Sequence, residues 1–390
     1  MRSLLSQPTD KEVKMKPHDR SKQIVNRILE HAGITVNGSR PYDIQIENSK
    51  TYARVIQFGS LGLGESYMDG WWHCKRLDQF FYQLLRNHAD RILPANIPDL
   101  IYALLMRSTN MQSRRRAWIV GREHYDLGNE LFEQMLDSNM QYSCGYWANA
   151  VDLEQAQVAK LRMICDKLGL KAGMTLLDIG CGWGGLAKYA AEHYGTKVTG
   201  ITISKQQQIL AQQRCQGLDV EILLQDYRDI RQQYDRVVSV GMFEHVGPKN
   251  HAEYFKVAAR ALKEDGIFLL HTIGSNITSN KVDGWVHKYI FPNGNLPSAR
   301  QIAQAAEGHL LMEDWHNFGS DYDKTLMSWY ANFCRAWPSL AADRKYDERF
   351  KRMFTYYLNC CAGAFRARDI QLWQVLFSLN GVEGGIKRYC

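Results

Sequence analysis

The sequence has no apolar run approaching the roughly 18 residues that a membrane-spanning helix requires; its longest apolar stretches are short, such as residues 267–270. It also has no signal-peptide core, because the N-terminus passes from Leu4 and Leu5 straight into charge, so a cytoplasmic location is expected. Its nine cysteines form an odd set with no CxxC pair and no repeated spacing, which argues against a disulfide framework and a structural zinc site. There is no HExxH arrangement either, and no metal is expected. Disorder and fibrous architectures are excluded by an ordinary globular composition, 45% hydrophobic, 23% charged and 11% aromatic.

What is present begins with length and charge. A chain of 390 residues has room for two or three domains and a large core. Residues 1–120 carry 18 Lys and Arg against 11 Asp and Glu, whereas residues 121–390 carry 30 of each, so the net charge of +7 lies entirely in the first third. A basic module beside a neutral one suits a polyanion, either nucleic acid or an anionic phospholipid surface. The same excess is also compatible with a merely soluble surface, since only Arg114, Arg115 and Arg116 form a tight cluster. Apolar residues at helical spacing predict helices over 22–32 (Ile24, Val25, Ile28, Leu29), 78–89 (Phe80, Phe81, Leu84, Leu85) and 98–107 (Leu100, Ile101, Leu104, Leu105). Between them, GSLGLGESYMDGWW (59–72) has four glycines and reads as a shaped surface loop, with Trp71 and Trp72 as headgroup anchors or as core. This predicts a smaller, mostly helical N-terminal domain over 1–110, a linker over 111–122 and a larger domain over 123–390.

In the larger domain strands alternate with helices, which predicts an α/β fold with a parallel, Rossmann-like sheet covered on both faces. The expected strands span 174–179, 197–203, 220–224, 236–240 and 267–272, with a further candidate near Met312 and an aromatic stretch over 350–365. The strongest local signal is TLLDIGCGWGG (175–185), an apolar strand that runs into glycines and then a helix, so a tight turn approaches a ligand closely. Gly180, Gly182 and Gly185 satisfy the dinucleotide GxGxxG pattern. Asp178, Gly180, Gly182 and Gly184, flanking Cys181, equally satisfy the DxGxGxG pattern of S-adenosylmethionine-dependent methyltransferases. Context favours the methyl donor. A nicotinamide site places an acid about 20 positions on, but the second strand ends GITIS (200–204) without one. Asp226, at the end of the third strand, stands where methyltransferases contact adenine.

Three further clusters look chemical: EHYDLGN (123–129), YSCGYW (142–147) and FEHV (243–246), the last just past the fourth strand, where ligands of this fold bind. His271 on the fifth strand is a further candidate for the same crevice. Each alone has a plainer reading: His124 as a helix-entry hydrogen-bonder, Cys144 as a small apolar residue, His271 as a core histidine. Together SLGLGESYMDGWW, RRAWIVGREHYDLGN, MQYSCGYW, LLDIGCGWGGLAKY, VGMFEHVGPKN, GIFLLHTIGS, YIFPNG, DWHNFGSDYD and FKRMFTYYLN resemble the bacterial cyclopropane-fatty-acyl-phospholipid synthase family, from about Gln23 to Val382. The chain departs from that pattern in its basic first 20 residues, its tail over 384–390 and the pairing of Cys360 with Cys361.

The resemblance implies methylene transfer from S-adenosylmethionine to the cis double bond of an unsaturated phospholipid acyl chain, through a carbocation deprotonated by a bound bicarbonate ion. By motif match it assigns that ion to Cys144, Glu244, His271, Tyr322 and the backbone of Ile273, with Cys361 near the acyl pocket. For the methyl donor it implies Tyr142, Ser143, the turn at Gly180, Cys181 and Gly182, then Thr202, Gln207, Tyr227 and Arg228. It further implies a homodimer, peripheral on the inner face of the cytoplasmic membrane, with an anionic phospholipid bilayer as partner. The rival readings are a nucleic-acid methyltransferase, disfavoured by the absence of an N/D-P-P-Y/F motif or RNA-binding signature, and a non-catalytic lipid-binding protein, disfavoured by the intact glycines.

Overall fold

The computed structural model describes residues 17–92, 128–279, 282–343 and 345–386. Three helices, α1 (Pro17–His31), α2 (Lys50–Met68) and α3 (Leu77–Arg86), make the N-terminal part, and β1 (Gln45–Ile46) pairs antiparallel with β2 (Trp72–His73). The helix expected over 98–107, the linker over 111–122 and most of the EHYDLGN cluster lie outside the described residues.

The surface loop expected over 59–72 is corrected by the structure. Most of it is helix α2, kinked at Gly59, where φ is 56° and ψ is −130°. Its glycines serve close packing instead: a Cβ on Gly64 would lie 2.2 Å from Trp285 Cδ1, and one on Gly62 2.1 Å from the Arg54 carbonyl oxygen. Trp72 is no headgroup anchor, being fully buried with its indole N–H donating to the Leu63 carbonyl at 3.0 Å. Trp71 is half-buried under the Arg54 guanidinium.

Beyond the N-terminal part, α4 (Asn129–Met135) and α5 (Leu153–Lys167) lead into β3 (Thr175–Ile179), α6 (Gly185–Tyr194), β4 (Lys197–Thr202), α7 (Lys205–Arg214), β5 (Val220–Leu224) and β6 (Tyr234–Val240). There follow α8 (His251–Arg260), β7 (Leu262–Ser275), α9 (Gly284–Tyr289), α10 (Ala299–Ala306), β8 (Leu311–Asn317), α11 (Asp321–Leu340), α12 (Glu348–Arg366) and β9 (Ile370–Ser378). The seven-stranded sheet has the order β5-β4-β3-β6-β7-β9-β8. Its first five strands are parallel, as expected; β9 and β8 close the edge antiparallel. Strand β9 was not foreseen, because IQLWQVLFS lacks clean alternation and has burial on both faces.

Side chains of β7 and β9 alternate between two cores. Phe268, Leu270, Val375 and Phe377 point to one face with Phe243, Tyr254 and Phe255, while Leu269 and Leu376 point to the other with Leu161, Ile164 and Leu186. A third core joins α1, α2 and α3 to α4, α11 and α12, with Trp72, Phe80, Phe81, Trp285, Phe354 and Tyr356 in one cluster. The N-terminal helices therefore pack onto the helices that overlie the carboxyl end of the sheet.

Candidate active site

At the end of β3 the chain turns through Gly180 and Gly182, whose φ values of 84° and 55° favour glycine. The N–H groups of Gly180 and Cys181 donate to the Ile201 carbonyl at 3.0 Å, tying the turn to β4. A Cβ on Gly180 would meet Met242 at 2.9 Å, whereas one on Gly182 would have nothing within 4 Å. The turn is closed toward the protein at Gly180 and open at Gly182.

That opening belongs to a cavity of about 690 Å³. Of the residues expected to hold the methyl donor, Tyr142, Ser143, Asp178, Gly180, Cys181, Gly182, Thr202, Gln207, Asp226, Tyr227 and Arg228 line it. Gly184 does not; it is the cap of α6 and packs toward Ala211 and Cys215. The expected contacts are braced by local hydrogen bonds. Thr202 Oγ1 donates to Gln207 Oε1 at 2.8 Å, and Arg228 reaches Asp226 Oδ2 at 2.9 Å. Behind Ser143 lies the fully buried Lys160, whose ammonium donates to Ser143 Oγ at 3.0 Å and to Gln141 Oε1. Burial pushes Lys160 down to about 8 and Asp178 up to about 7, the latter against the pull of the Lys160 cation. The open turn, with Thr202, Gln207 and Asp226 around it, fits the adenosine part of S-adenosylmethionine.

Glu244, Ile273, Tyr322 and Cys361 line the same cavity. Cys144 and His271, expected at the same place, do not line it and are fully buried. The Ile273 N–H donates to Glu244 Oε1 at 2.7 Å, so that backbone donor is already engaged by the carboxyl beside it. Glu244 Oε2 and His271 Nε2 are buried with no hydrogen-bond partner among the described residues. Burial pushes the Glu244 carboxyl up to about 7 and keeps His271 neutral. It also raises the Tyr322 hydroxyl and the Cys144 thiol, with Cys144 and Glu244 acting on Tyr322 in turn. The unpaired Glu244 Oε2 and the Tyr322 hydroxyl on the same cavity suit a small polar group, such as an oxyanion, that takes up their hydrogen bonds.

Aromatic rings crowd the centre: Tyr142 lies 5.1 Å from Phe132 and 5.2 Å from Trp329, its hydroxyl is 2.8 Å from that of Tyr357, and Tyr322 stacks on Phe365 at 4.4 Å. The N-terminal part supplies a mostly apolar wall of the same cavity, with Val25, Ile28, Ile44, Val55, Leu63 and Leu84 beside Thr51, Ser60 and Asp90. Among the described residues no group of acidic, histidine or cysteine side chains has a metal-binding arrangement.

Residues 112–375 match the mycolic acid cyclopropane synthetase family. The chain belongs to that family. It is 63% identical over 371 residues to a cyclopropane-fatty-acyl-phospholipid synthase of Escherichia coli, covering 95% of this chain and 96% of the relative. The structure of the cyclopropane synthase MmaA2 from Mycobacterium tuberculosis aligns with a TM-score of 0.63 at 31% identity, over 67% of this chain and 98% of that one. The mycolic acid cyclopropane synthase CmaA1, solved with SAH and CTAB, aligns with a TM-score of 0.62 at 32% identity over the same shares. As a member of this family the chain is an S-adenosylmethionine-dependent methyltransferase.

Several residues of this family member's site escaped the sequence reading. Lys160 and Gln141 behind Ser143 were missed, although a lysine on the apolar face of α5, between Gln157 and Leu161, is a readable anomaly. Thr325, which accepts from the Gly145 N–H at 3.1 Å and from the Trp147 indole at 2.9 Å, gave no signal, because its role depends on α11 crossing YSCGYW. The N-terminal wall of the cavity was equally silent.

Proposed function

We propose that this chain adds a methylene from S-adenosylmethionine across the cis double bond of unsaturated acyl chains in membrane phospholipids. One alkene carbon would take the sulfonium methyl as its S–C bond breaks and S-adenosylhomocysteine leaves, the other alkene carbon would become cationic, and bicarbonate held by Glu244 and Tyr322 would accept a proton from that methyl as its C–H electron pair closes the cyclopropane ring. An alkene is a weak nucleophile, so the protein contributes mainly by placement and dryness. The Gly180–Cys181–Gly182 turn, with Tyr142, Thr202, Gln207 and Asp226, holds the donor at the carboxyl end of β3 and β4. Faces of Tyr142, Tyr322 and Tyr357, which line the cavity, stabilise positive charge on the chain and exclude water. Glu244 keeps a proton to share below about pH 7, so that an anion can sit beside a carboxyl without like-charge repulsion.

The observation that carries this reading is the continuity of the cavity, which runs from the glycine turn past Glu244 and Tyr322 into an apolar wing under α1, α2 and α3. A polar cofactor end and a long apolar end meeting at one carboxyl suit an acyl chain better than a nucleic-acid base. The N-terminal helices are then the lipid-binding part, the partner is an anionic bilayer engaged from the cytoplasmic side, and the working form is a homodimer. Purified protein incubated with methyl-labelled donor, bicarbonate and vesicles of monounsaturated phospholipid is expected to add one CH₂ per double bond, read by mass analysis of the acyl chains. Label in added RNA, or none in lipid while donor binds, would overturn the proposal. Charge reversal of Arg114, Arg115 and Arg116 is expected to reduce cosedimentation with anionic vesicles; unchanged sedimentation removes that cluster from the membrane contact.

A further inference from the structure

Three strands set three polar side chains in one cross-strand row. His271 on β7 stands opposite Gln374 on β9, and Gln374 opposite His316 on β8. Lys167, at the end of α5, meets the row from the helix side, with Nζ 2.9 Å from Gln374 Oε1 and 2.9 Å from His316 Nδ1. Gln374 Nε2 lies 3.2 Å from His271 Nδ1. Lys167 is nine-tenths buried or more, and Gln374 and His271 are fully so.

Only one assignment of donors fits this row. A protonated lysine donates and never accepts, so the oxygen of the Gln374 amide faces Lys167 and its NH₂ faces the imidazole. His271 Nδ1 is then an acceptor, and a neutral ring that accepts at Nδ1 carries its hydrogen on Nε2. Among the described residues Nε2 is the ring atom left without a partner, and Ile273, two positions on and on the same face of β7, lines the cavity that holds Glu244. Burial keeps the ring neutral, and the cations facing it, Lys160 and Lys167, push the same way. Asp314 and His316 are the other titratable groups acting around Lys167.

We infer that Lys167 and Gln374 are positioning residues that lock His271 as its Nε2–H tautomer, so that the ring offers the anion-binding centre a hydrogen-bond donor. The inference rests on the reading above for what that donor meets. An Nδ1–H ring would turn a lone pair toward the lone pairs of an oxyanion, and the contact would repel. In the locked state His271 has no basic nitrogen free, so it orients the anion and is not the group that receives the proton.

The test compares wild type with Lys167→Met, Gln374→Leu and the conservative Lys167→Arg, each checked for folding by circular dichroism. Two-bond ¹H–¹⁵N spectra of ¹⁵N-histidine-labelled protein, with His271 assigned by its loss in His271→Gln, read the tautomer directly. The expected result is Nε2–H in wild type and Lys167→Arg, and a mixed or Nδ1–H ring in the other two. Those two should also show a bicarbonate KM raised about tenfold, the size of one hydrogen bond to a charged group, with donor affinity unchanged. An Nδ1–H ring in wild type, or an unaltered tautomer in both Lys167→Met and Gln374→Leu, overturns the inference. Lys167→Met leaves Gln374 in place and keeps the test open if Gln374→Leu does not fold. An Nε2–H ring that responds to the variants in an enzyme indifferent to bicarbonate supports the lock and overturns the anion reading instead.

Discussion

Glu244 concentrates the chemistry at the residue scale. One of its oxygens is fixed by the Ile273 N–H and the other has no hydrogen-bond partner among the described residues, so its geometry is set while its proton stays exchangeable. Glu244→Gln preserves the shape and removes the acid. It is expected to leave donor affinity intact, measured by calorimetry, and to lower ring formation by roughly 10²-fold or more. A fully active variant would remove Glu244 from the mechanism. Because burial raises this carboxyl to about 7, it carries its proton below that pH and a charge above it. The bicarbonate KM of the wild type should therefore rise as pH increases beyond about 7, in contrast to a flat profile if the carboxyl were ionised throughout.

At the scale of elements, α2 shows how packing overrides local propensity. Glycine is unfavourable inside a helix by about 1 kcal/mol relative to alanine, which made SLGLG read as a loop. A Cβ at Gly64 would press into the buried Trp285 of α9, and overpacking of that kind costs about 1–3 kcal/mol. The clash outweighs the propensity gain, so Gly64→Ala should lower the denaturation midpoint. Glu65, next in the helix, joins the same two elements. Burial favours its neutral form, but hydrogen bonds from Lys288, Tyr289 and Arg54 override that and hold it at about 2. A carboxyl with a depressed folded pKa stabilises above its unfolded pKa and loses that contribution as pH falls through the folded value. Wild type should thus lose roughly 1–3 kcal/mol between pH 5 and 2 that Glu65→Gln never had, visible as converging melting temperatures of the two proteins.

For the whole molecule, the cofactor turn and the N-terminal helices share a cavity although they are more than ninety residues apart in the chain. The mycobacterial synthases align with about two thirds of this chain, and the family match begins at residue 112, so the N-terminal wall lies outside the shared unit. If that wall bounds the acyl chain, narrowing it should act on chain length and not on the donor. Leu84→Trp is expected to shift product toward shorter acyl chains, with unchanged donor affinity, when vesicles of mixed chain length are offered. An unchanged product distribution would place the chain elsewhere. Among the described residues no helix is long and apolar enough to cross a membrane.

The sequence by itself determined the parts whose physics is local. An apolar strand running into Gly180 and Gly182 dictates an open turn, and five parallel strands follow from alternating periods. Glu244 and His271 stand out as candidates because they sit just beyond or within those strands, but each alone also reads as core, and their roles come only with the family resemblance. What only the tertiary structure decided depends on contacts between distant segments. Strand β9 has no alternation because both its faces are covered, and α2 hides behind glycines that exist to admit Trp285. The apolar wing of the cavity needs α1, α2 and α3 to meet α12. Lys167, Gln374 and His316 acquire their relation to His271 only when three strands and a helix come into register, since hydrogen bonding across a sheet is fixed by strand order and no spacing along the chain encodes it.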